Sequence, residues 1–387
     1  MQEAVIVDAV RTPLGRRNGF LSDWHPVDLA AETLNALEER NSFDPALVDD
    51  VIMGCVSQVG DQAWNVGRNA VLAAGWPESV PAVTIDRQCG SSQQSVHFAA
   101  QGIMAGVYDI AVAAGVESMT RVPMGSSANG TLSTPFGERM TARYENNLVP
   151  QGLSAEIVAD RWKLSREELD QISYESHMRA QRATEEKRFD NEIVSIDVKV
   201  DGAVTAVSHD EGIRSTTTTE ILSSLKPAFK EDGVVTAGNS SQITDGAVAI
   251  LLMSRQKADE MGFKPRARLV SFSLAATDPI SMLTGPIPAT YKALDNAGLS
   301  IDDIDIFEVN EAFASVVGAW QKETGVSSDK VNVNGGAIAL GHPLGASGGR
   351  LMTTLLNALE YSGGRYGLQT MCEGGGMANG TIIESLM

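Results

Sequence analysis

The stretch PALVDDVIMGCV (45–56) is written a second time, loosely, as IDDIDIFEVNEAF (301–313). After each copy come a further strand, a glycine-rich loop and an apolar-striped helix. A unit repeated in this way points to two similar α/β halves in one chain. Around the copies, short β-branched runs alternate with longer amphipathic stretches. The predicted strands are AVIVDAV, DVIMGCV, AVTID, DIAVAAGV, AVAILLMS, ARLVSFS, DIDIFEV, KVNVNG, YGLQTMC and GTIIESL.

Working outward, the helix after Cys89 carries Val96, Ala99, Ala100, Ile103 and Met104, the spacing of one buried helical face. The helix after His342 carries a similar stripe of Leu351, Leu355, Ala358 and Leu359. DIAVAAGVES (109–118) matches YGLQTMCEGG (366–375). In the second half the next strand follows almost at once. In the first half its counterpart waits until Gly246, so residues 119–243 read as an insert. The expected division is 1–118 plus 244–265, the insert 119–243, and 266–387. The insert opens on a Gly/Ser/Thr-rich run, MGSSANGTLSTPFG (124–137), and then turns charged and helical. Ser165 with Glu168 is spaced as a capping box. Its basic residues, among them Arg166, Arg179 and Arg182, read as a solvated helix face.

The chain has 387 residues, enough for two or three domains and a large core. Its formal charge of -19 repels nucleic acid and anionic membranes, so neither is an expected partner. An anionic substrate then needs a local basic patch. Three cysteines without a CxxC spacing argue against a disulfide scaffold or a zinc site, and no metal is expected. The opening MQEAVIVDAVRTPLG does not read as a signal peptide, and no run is apolar enough to span a membrane. A cytoplasmic enzyme is expected.

Two thiols and one imidazole stand on glycine-rich loops: DRQCGSS around Cys89, GGAIALGHPLGASGG (335–349) around His342, and MCEGGG around Cys372. Cys89 falls between a strand and a helix start, where the helix dipole and free N–H groups are expected to lower its pKa. Glycines admit close approach of substrate and backbone. His342 can take the thiol proton and then hydrogen-bond a thioester oxygen. Cys372 suits proton transfer at a carbon next to a thioester. Read singly, each cysteine is equally a small buried thiol. Cys55, with no glycine nest, reads as structural. Gly345 to Gly349 matches G-x-S-x-G around Ser347, but a hydrolase serine must directly follow a strand, which this one does not. No phosphate-binding GxxxxGK[ST] loop is present.

Taken together these pieces resemble the thiolase family across essentially the whole chain. The matching segments are VRTPLGRRNG, the Cys89 loop, GVESMT, TAGNSSQITDGA, NEAF at 310–313, GGAIALGHPLGASG and C-x-G at 372–374. The resemblance implies a duplicated five-layer αβαβα fold with an inserted loop domain. It implies that Cys89 is the acylated nucleophile, His342 its activator and Cys372 the acid/base. Asn310 would hold a water that forms one oxyanion hole with His342; the backbone N–H groups of Cys89 and Gly374 would form the other. Coenzyme A is implied as co-substrate, with Arg214 near the nucleotide, Phe229 beside the adenine, Ala237 and Ser241 along the pantetheine, and Phe313 at the pantetheine or acyl region. The expected activity is that of a 3-ketoacyl-CoA thiolase in lipid β-oxidation. It is expected to work as a homodimer or homotetramer, with a hydratase/dehydrogenase chain as a further partner.

An acetoacetyl-CoA thiolase is the near rival; a serine hydrolase using Ser347 and a silent CoA-binding subunit are remote ones. PQGLSAE (150–156) departs from the His-Met that several thiolases place there, in a region that meets the acyl chain, so substrate length does not carry over. QCGSSQQ is similar to the run of thiolases that take bulky, steroid-derived acyl groups.

Overall fold

The computed structural model describes residues 2–128, 135–200 and 202–387, so part of the Gly/Ser/Thr-rich run lies outside the described residues. The first half supplies β1 (Ala4–Arg11), β2 (Gly15–Arg16), β3 (Asp50–Gly54), β4 (Ala82–Ile85) and β5 (Ile110–Ser118). A hairpin of β6 (Ile196–Val200) and β7 (Ala203–Val207) lies in the insert, and β8 (Thr244–Ser254) resumes the half. The second half supplies β9 (Ala267–Ala276), β10 (Ile306–Val309), β11 (Tyr366–Glu373) and β12 (Met377–Ser385). The strand order is β10-β11-β12-β9-β1-β8-β5-β3-β4, the same arrangement read outward from the β9–β1 contact in both directions. In each half a parallel pair, β3 with β5 or β10 with β11, is followed by an antiparallel neighbour. The halves touch through Val5 opposite Arg268 and Ile6 opposite Ala267.

Helices cover both faces, so the strands read as near-continuous apolar runs; every residue of β8 is buried. The first half carries α1 (Pro26–Asn41), α2 (Val66–Ala73) and α3 (Ser91–Met104). The insert holds α4 (Glu138–Arg143), α5 (Gln151–Arg161), α6 (Arg166–Glu185) and α7 (Thr219–Ser223). Then follow α8 (Arg255–Glu260), α9 (Pro286–Ala297), α10 (Ala314–Thr324) and α11 (Leu344–Ser362). The predicted stripes of α3 and α11 do the same job. Val96, Ala99, Ala100 and Ile103 meet Leu355 and Leu359 in one core between the two half-sheets. On the outer faces, α1 buries Leu29, Leu34 and Leu37 against β8, β1 and β5, α9 buries Leu294 against β9, β12 and β11, and Trp320 of α10 packs on Phe307 of β10. The result is five layers, αβαβα, with α3 and α11 as the central one. Each fully buried leucine contributes roughly 1.5–3 kcal/mol, so this layer is a rigid mount for what stands at its helix starts. In the insert, Ser165 and Glu168 close the predicted capping box at the start of α6.

Two sequence expectations need correction. Asp49 accepts the N–H groups of Asp109 and Ile110 at 2.7 and 3.0 Å, and Asp305 accepts those of Arg365 and Tyr366 at 2.7 and 3.0 Å. Ile110 therefore corresponds to Tyr366, not Asp109 to Tyr366. One residue of slip turns every side chain to the other face, and in the observed register Glu117 corresponds to Glu373. KVNVNG is not a strand. Val331 alone bridges Phe307, where β4 lies beside β3 in the other half. Asn332 then turns left-handed (φ 48°), and its carboxamide bonds Val309 N–H and C=O at 2.8 and 2.9 Å, taking the place of the next ladder residue.

Candidate active site

Cys89 is buried just before α3. Gln88 is left-handed at φ 50°, which swings the chain from β4 into the helix, and Gly90 is an N-cap whose missing side chain leaves the helix start bare. Its thiol pKa is pushed up to about 12, first by burial and then by Glu373. The backbone N–H groups of Cys89 and Gly374 and the Gln151 side chain act in the opposite direction. This corrects the expected depressed thiol. The donors are present, but removal from water outweighs them. At rest Cys89 is a thiol, so attack by its sulfur would require that proton to leave.

His342 stands at the equivalent place before α11. Gly341 reaches φ 113°, and a Cβ there would lie 2.3 Å from Thr244 Oγ1. That close approach lets Thr244 Oγ1 accept the His342 N–H at 3.1 Å. Ser347 donates its hydroxyl proton to Pro343 C=O at 2.8 Å. The 2.5 Å contact between Ser347 Oγ and His342 Nδ1 is therefore donated by the imidazole. Nε2 is left with a lone pair, 3.4 Å from Asn310 Nδ2. Burial and then Arg350 push the His342 pKa down to about 3, so the ring is neutral at physiological pH. Ser347 is fully buried, inside α11 and committed on both sides, which suits a support and not a hydrolase nucleophile.

Cys372 is buried on β11, in the same apolar cluster as Phe313 and Leu283. Its pKa is raised well above the ordinary value by burial, then by Cys89 and Glu373, which places the two thiols within electrostatic reach of each other. Asn310 prolongs the β10 ladder through a 3.0 Å bond from its N–H to Thr370 C=O, and its Oδ1 is buried without a partner. Two carboxylates hold the loops in place. Glu117 accepts from the N–H groups of Val56, Ser57 and Gly345 and from Gln62 Nε2 at 2.8–3.0 Å, tying the His342 loop to the first half. Glu311 accepts from Ser176 Oγ, Asn332 Nδ2 and Ile338 N–H at 2.6–3.1 Å, tying α6 of the insert to the same loop.

A cavity of about 510 Å³ opens onto His342. Arg214, Phe229, Ala237, Ser241 and Phe313 all line it, together with Gln151. Phe229 stands edge-on to Phe313 at 5.9 Å between centroids. A second cavity of about 330 Å³ shares Arg214 and Ala237 with the first. The structure thus sets the five coenzyme candidates and His342 on one cavity, Asn310 against His342, and Cys89 near Cys372 and Gly374; Cys89, Cys372 and Asn310 are not among the residues that line the cavity. Sequence reasoning passed over Gln151, Glu117 and Glu311. Gln151 had a signal, since it occupies the departing PQGLSAE run; the two glutamates stood inside GVESMT and NEAF without a task of their own. Among the described residues no His, Cys, Asp or Glu group could hold a metal ion, and no helix is long and apolar enough to cross a membrane.

Residues 4–256 match the thiolase N-terminal domain and residues 263–385 the thiolase C-terminal domain. The chain is 50% identical to a steroid 3-ketoacyl-CoA thiolase of Mycobacterium tuberculosis, over 100% of this chain and 95% of the relative. It is 46% identical to a 3-ketoacyl-CoA thiolase of Pseudoalteromonas translucida, over 99% of each. The crystal structure of the Bacillus anthracis acetyl-CoA acetyltransferase superposes with a TM-score of 0.92 at 40% identity, covering 100% of this chain and 99% of the other.

Proposed function

The chain belongs to the thiolase family, and on that premise we propose that it works as a 3-ketoacyl-CoA thiolase, an acyltransferase that splits a 3-ketoacyl-CoA with free coenzyme A. Cys89 Sγ attacks the C3 carbonyl while its proton passes to His342 Nε2. The C2–C3 bond breaks, the acyl group stays on Cys89, and the C2 carbanion takes the Cys372 proton to leave as acetyl-CoA. Coenzyme A then gives its thiol proton to Cys372 and attacks the acyl-Cys89 carbonyl. Cys89 leaves as thiolate and recovers its proton from His342, which closes the ping-pong cycle. Asn310 and His342 serve one oxyanion, through a water, and the N–H groups of Cys89 and Gly374 the other. Coenzyme A lies along Arg214, Phe229, Ala237, Ser241 and Phe313, so a local cation, and not the net charge, meets its phosphates.

The observation that carries this reading is the neutral imidazole whose free Nε2 faces Asn310, on a cavity that the proposed coenzyme residues line. The domain division is 1–118 with 244–265, a loop domain 119–243, and 266–387; the β5–β8 pairing that closes over the insert supports it. A dimer is supported by the open edge of β4 at the end of the sheet order, next to Trp64, which is 93% exposed. The tetramer alternative rests on the 124–137 run, part of which lies outside the described residues. The setting is cytoplasmic β-oxidation, where a hydratase/dehydrogenase chain forms the 3-keto substrate.

Acetyl-CoA followed by peptide mass spectrometry tests the reading: an acetyl group is expected on Cys89. Cys372→Ala keeps that acetylation and loses carbon–carbon cleavage. Unmodified Cys89 overturns the scheme, and equal loss of both steps overturns the role of Cys372. The likeness to an acetyl-CoA acetyltransferase keeps acetoacetyl-CoA thiolase as the second reading. Turnover that vanishes beyond the four-carbon substrate would select it.

A further inference from the structure

Glu373 follows the proposed acid/base Cys372 and has no task in the scheme above. Its side chain is wholly buried, and neither carboxyl oxygen has a hydrogen-bond partner. It does not point at random. A Cβ added to Gly90 would lie 2.0 Å from Glu373 Oε1 and 2.5 Å from Asn379 Oδ1, so both oxygens press on the residue after Cys89. Asn379 gives its Nδ2 to Gln94 Oε1 at 3.1 Å, which leaves Asn379 Oδ1, turned towards the carboxyl, and Gln94 Nε2 without partners. A buried carboxylate with no donor within hydrogen-bond reach is costly, and a proton removes that cost. The carboxyl is the group that can carry it.

We propose that Glu373 is a positioning residue of the resting active site: as the neutral acid, donating to Asn379 Oδ1, it keeps negative charge away from both thiols, and its ionisation suppresses them. The inference rests on the roles proposed for Cys89 and Cys372. The charged and titratable groups facing Glu373 are few. Asp86 and Arg87 precede Cys89 on the same loop and act on Glu373 in opposite directions, and the carboxyl in turn acts on both thiols. Burial leads these influences and pushes the Glu373 pKa up to about 8. Below that pH the carboxyl is neutral. Above it a carboxylate appears beside Cys89 and Cys372, and both thiols become harder to ionise.

The test is the pH profile of Cys89 alkylation by iodoacetamide, with the modified peptide identified by mass spectrometry, in wild type and Glu373→Gln. A buried thiol normally alkylates about tenfold faster per pH unit as its thiolate fraction grows. The wild-type profile should flatten through pH about 8 while the variant keeps climbing, so that near pH 9 the variant reacts roughly ten times faster. Superimposed profiles overturn the proposal. The wild-type protein alone gives a second readout: a protonated-carboxyl C=O band in the infrared at neutral pH that fades through pH about 8 and is missing from Glu373→Gln. A carboxyl already ionised at neutral pH also overturns it. An alkylation difference in a protein without thiolytic turnover keeps this inference and removes the thiolase scheme instead.

Discussion

Glu117 and Glu373 occupy the same position in the two halves, each near the end of the strand that faces a central helix. Glu117 receives four hydrogen bonds; Glu373 receives none. Duplication supplied one carboxyl twice, and the halves use it differently. In the first half it clamps the loop that carries His342, and in the second it stands unpaired near Cys89. The clamp is also why His342 has a fixed place: Gly345, which donates to Glu117, is three residues beyond it.

The largest expected effect lies in breaking the satisfied copy. Glu117→Ala strands four donors, three of them backbone, and should cost roughly 3–4 kcal/mol in urea denaturation. Glu373→Gln should stay within about 1 kcal/mol of wild type near pH 4, where the carboxyl is protonated folded and unfolded, because it removes no existing acceptor. The sign of its pH dependence is fixed. Glu373 keeps its proton in the folded protein up to about pH 8, whereas the unfolded carboxyl loses it in the ordinary range near 4.5, so wild-type stability falls as pH rises between them. Removing that group should make the slope shallower by about 1.4 kcal/mol per pH unit. Equal costs for the two substitutions would erase the contrast.

A smaller effect separates the two helix starts. Cys89 is served by backbone N–H groups, His342 by the Ser347 hydroxyl. Ser347→Ala leaves Nδ1 without its acceptor and the ring free to turn or change tautomer. We expect kcat to fall roughly 10–100-fold with KM little changed. Complete loss together with loss of covalent labelling at Cys89 would return Ser347 to the nucleophile role.

Much of this was legible before any coordinates. Cys89, His342 and Cys372 were readable as candidates because chemistry at a crowded centre needs glycines around it, and those glycines are in the sequence; Asn310 came only from the likeness of NEAF to the family. The layered halves were readable from strand runs and from stripes such as Val96–Ile103. What failed did so for physical reasons. A single-residue register shift between 109–118 and 366–375 hid the match of Glu117 with Glu373, because local pattern does not say which backbone groups Asp49 and Asp305 accept. KVNVNG has strand composition, yet the Asn332 side chain replaces the ladder after one bridge. The Cys89 donors were foreseen, but burial, a property of the assembled layers, decides its acidity.

The smallest predicted effect concerns Gln151, the first residue of α5 and the insert's own contact with Cys89. Its side chain favours the thiolate while Glu373 opposes it, so the two push Cys89 in opposite directions. Gln151→Met removes a neutral donor and keeps the length of the side chain. One lost hydrogen bond to an ionised sulfur is worth about 1 kcal/mol, and Cys89 should alkylate roughly three- to tenfold more slowly near pH 8. Combined with Glu373→Gln, the two changes should offset each other at alkaline pH, because they act on one sulfur through separate contacts. An unchanged alkylation rate with a shifted preference among acyl chains would instead place Gln151 in the substrate pocket alone. Cys89 acidity would then be set entirely within the duplicated core, by the helix start on one side and Glu373 on the other.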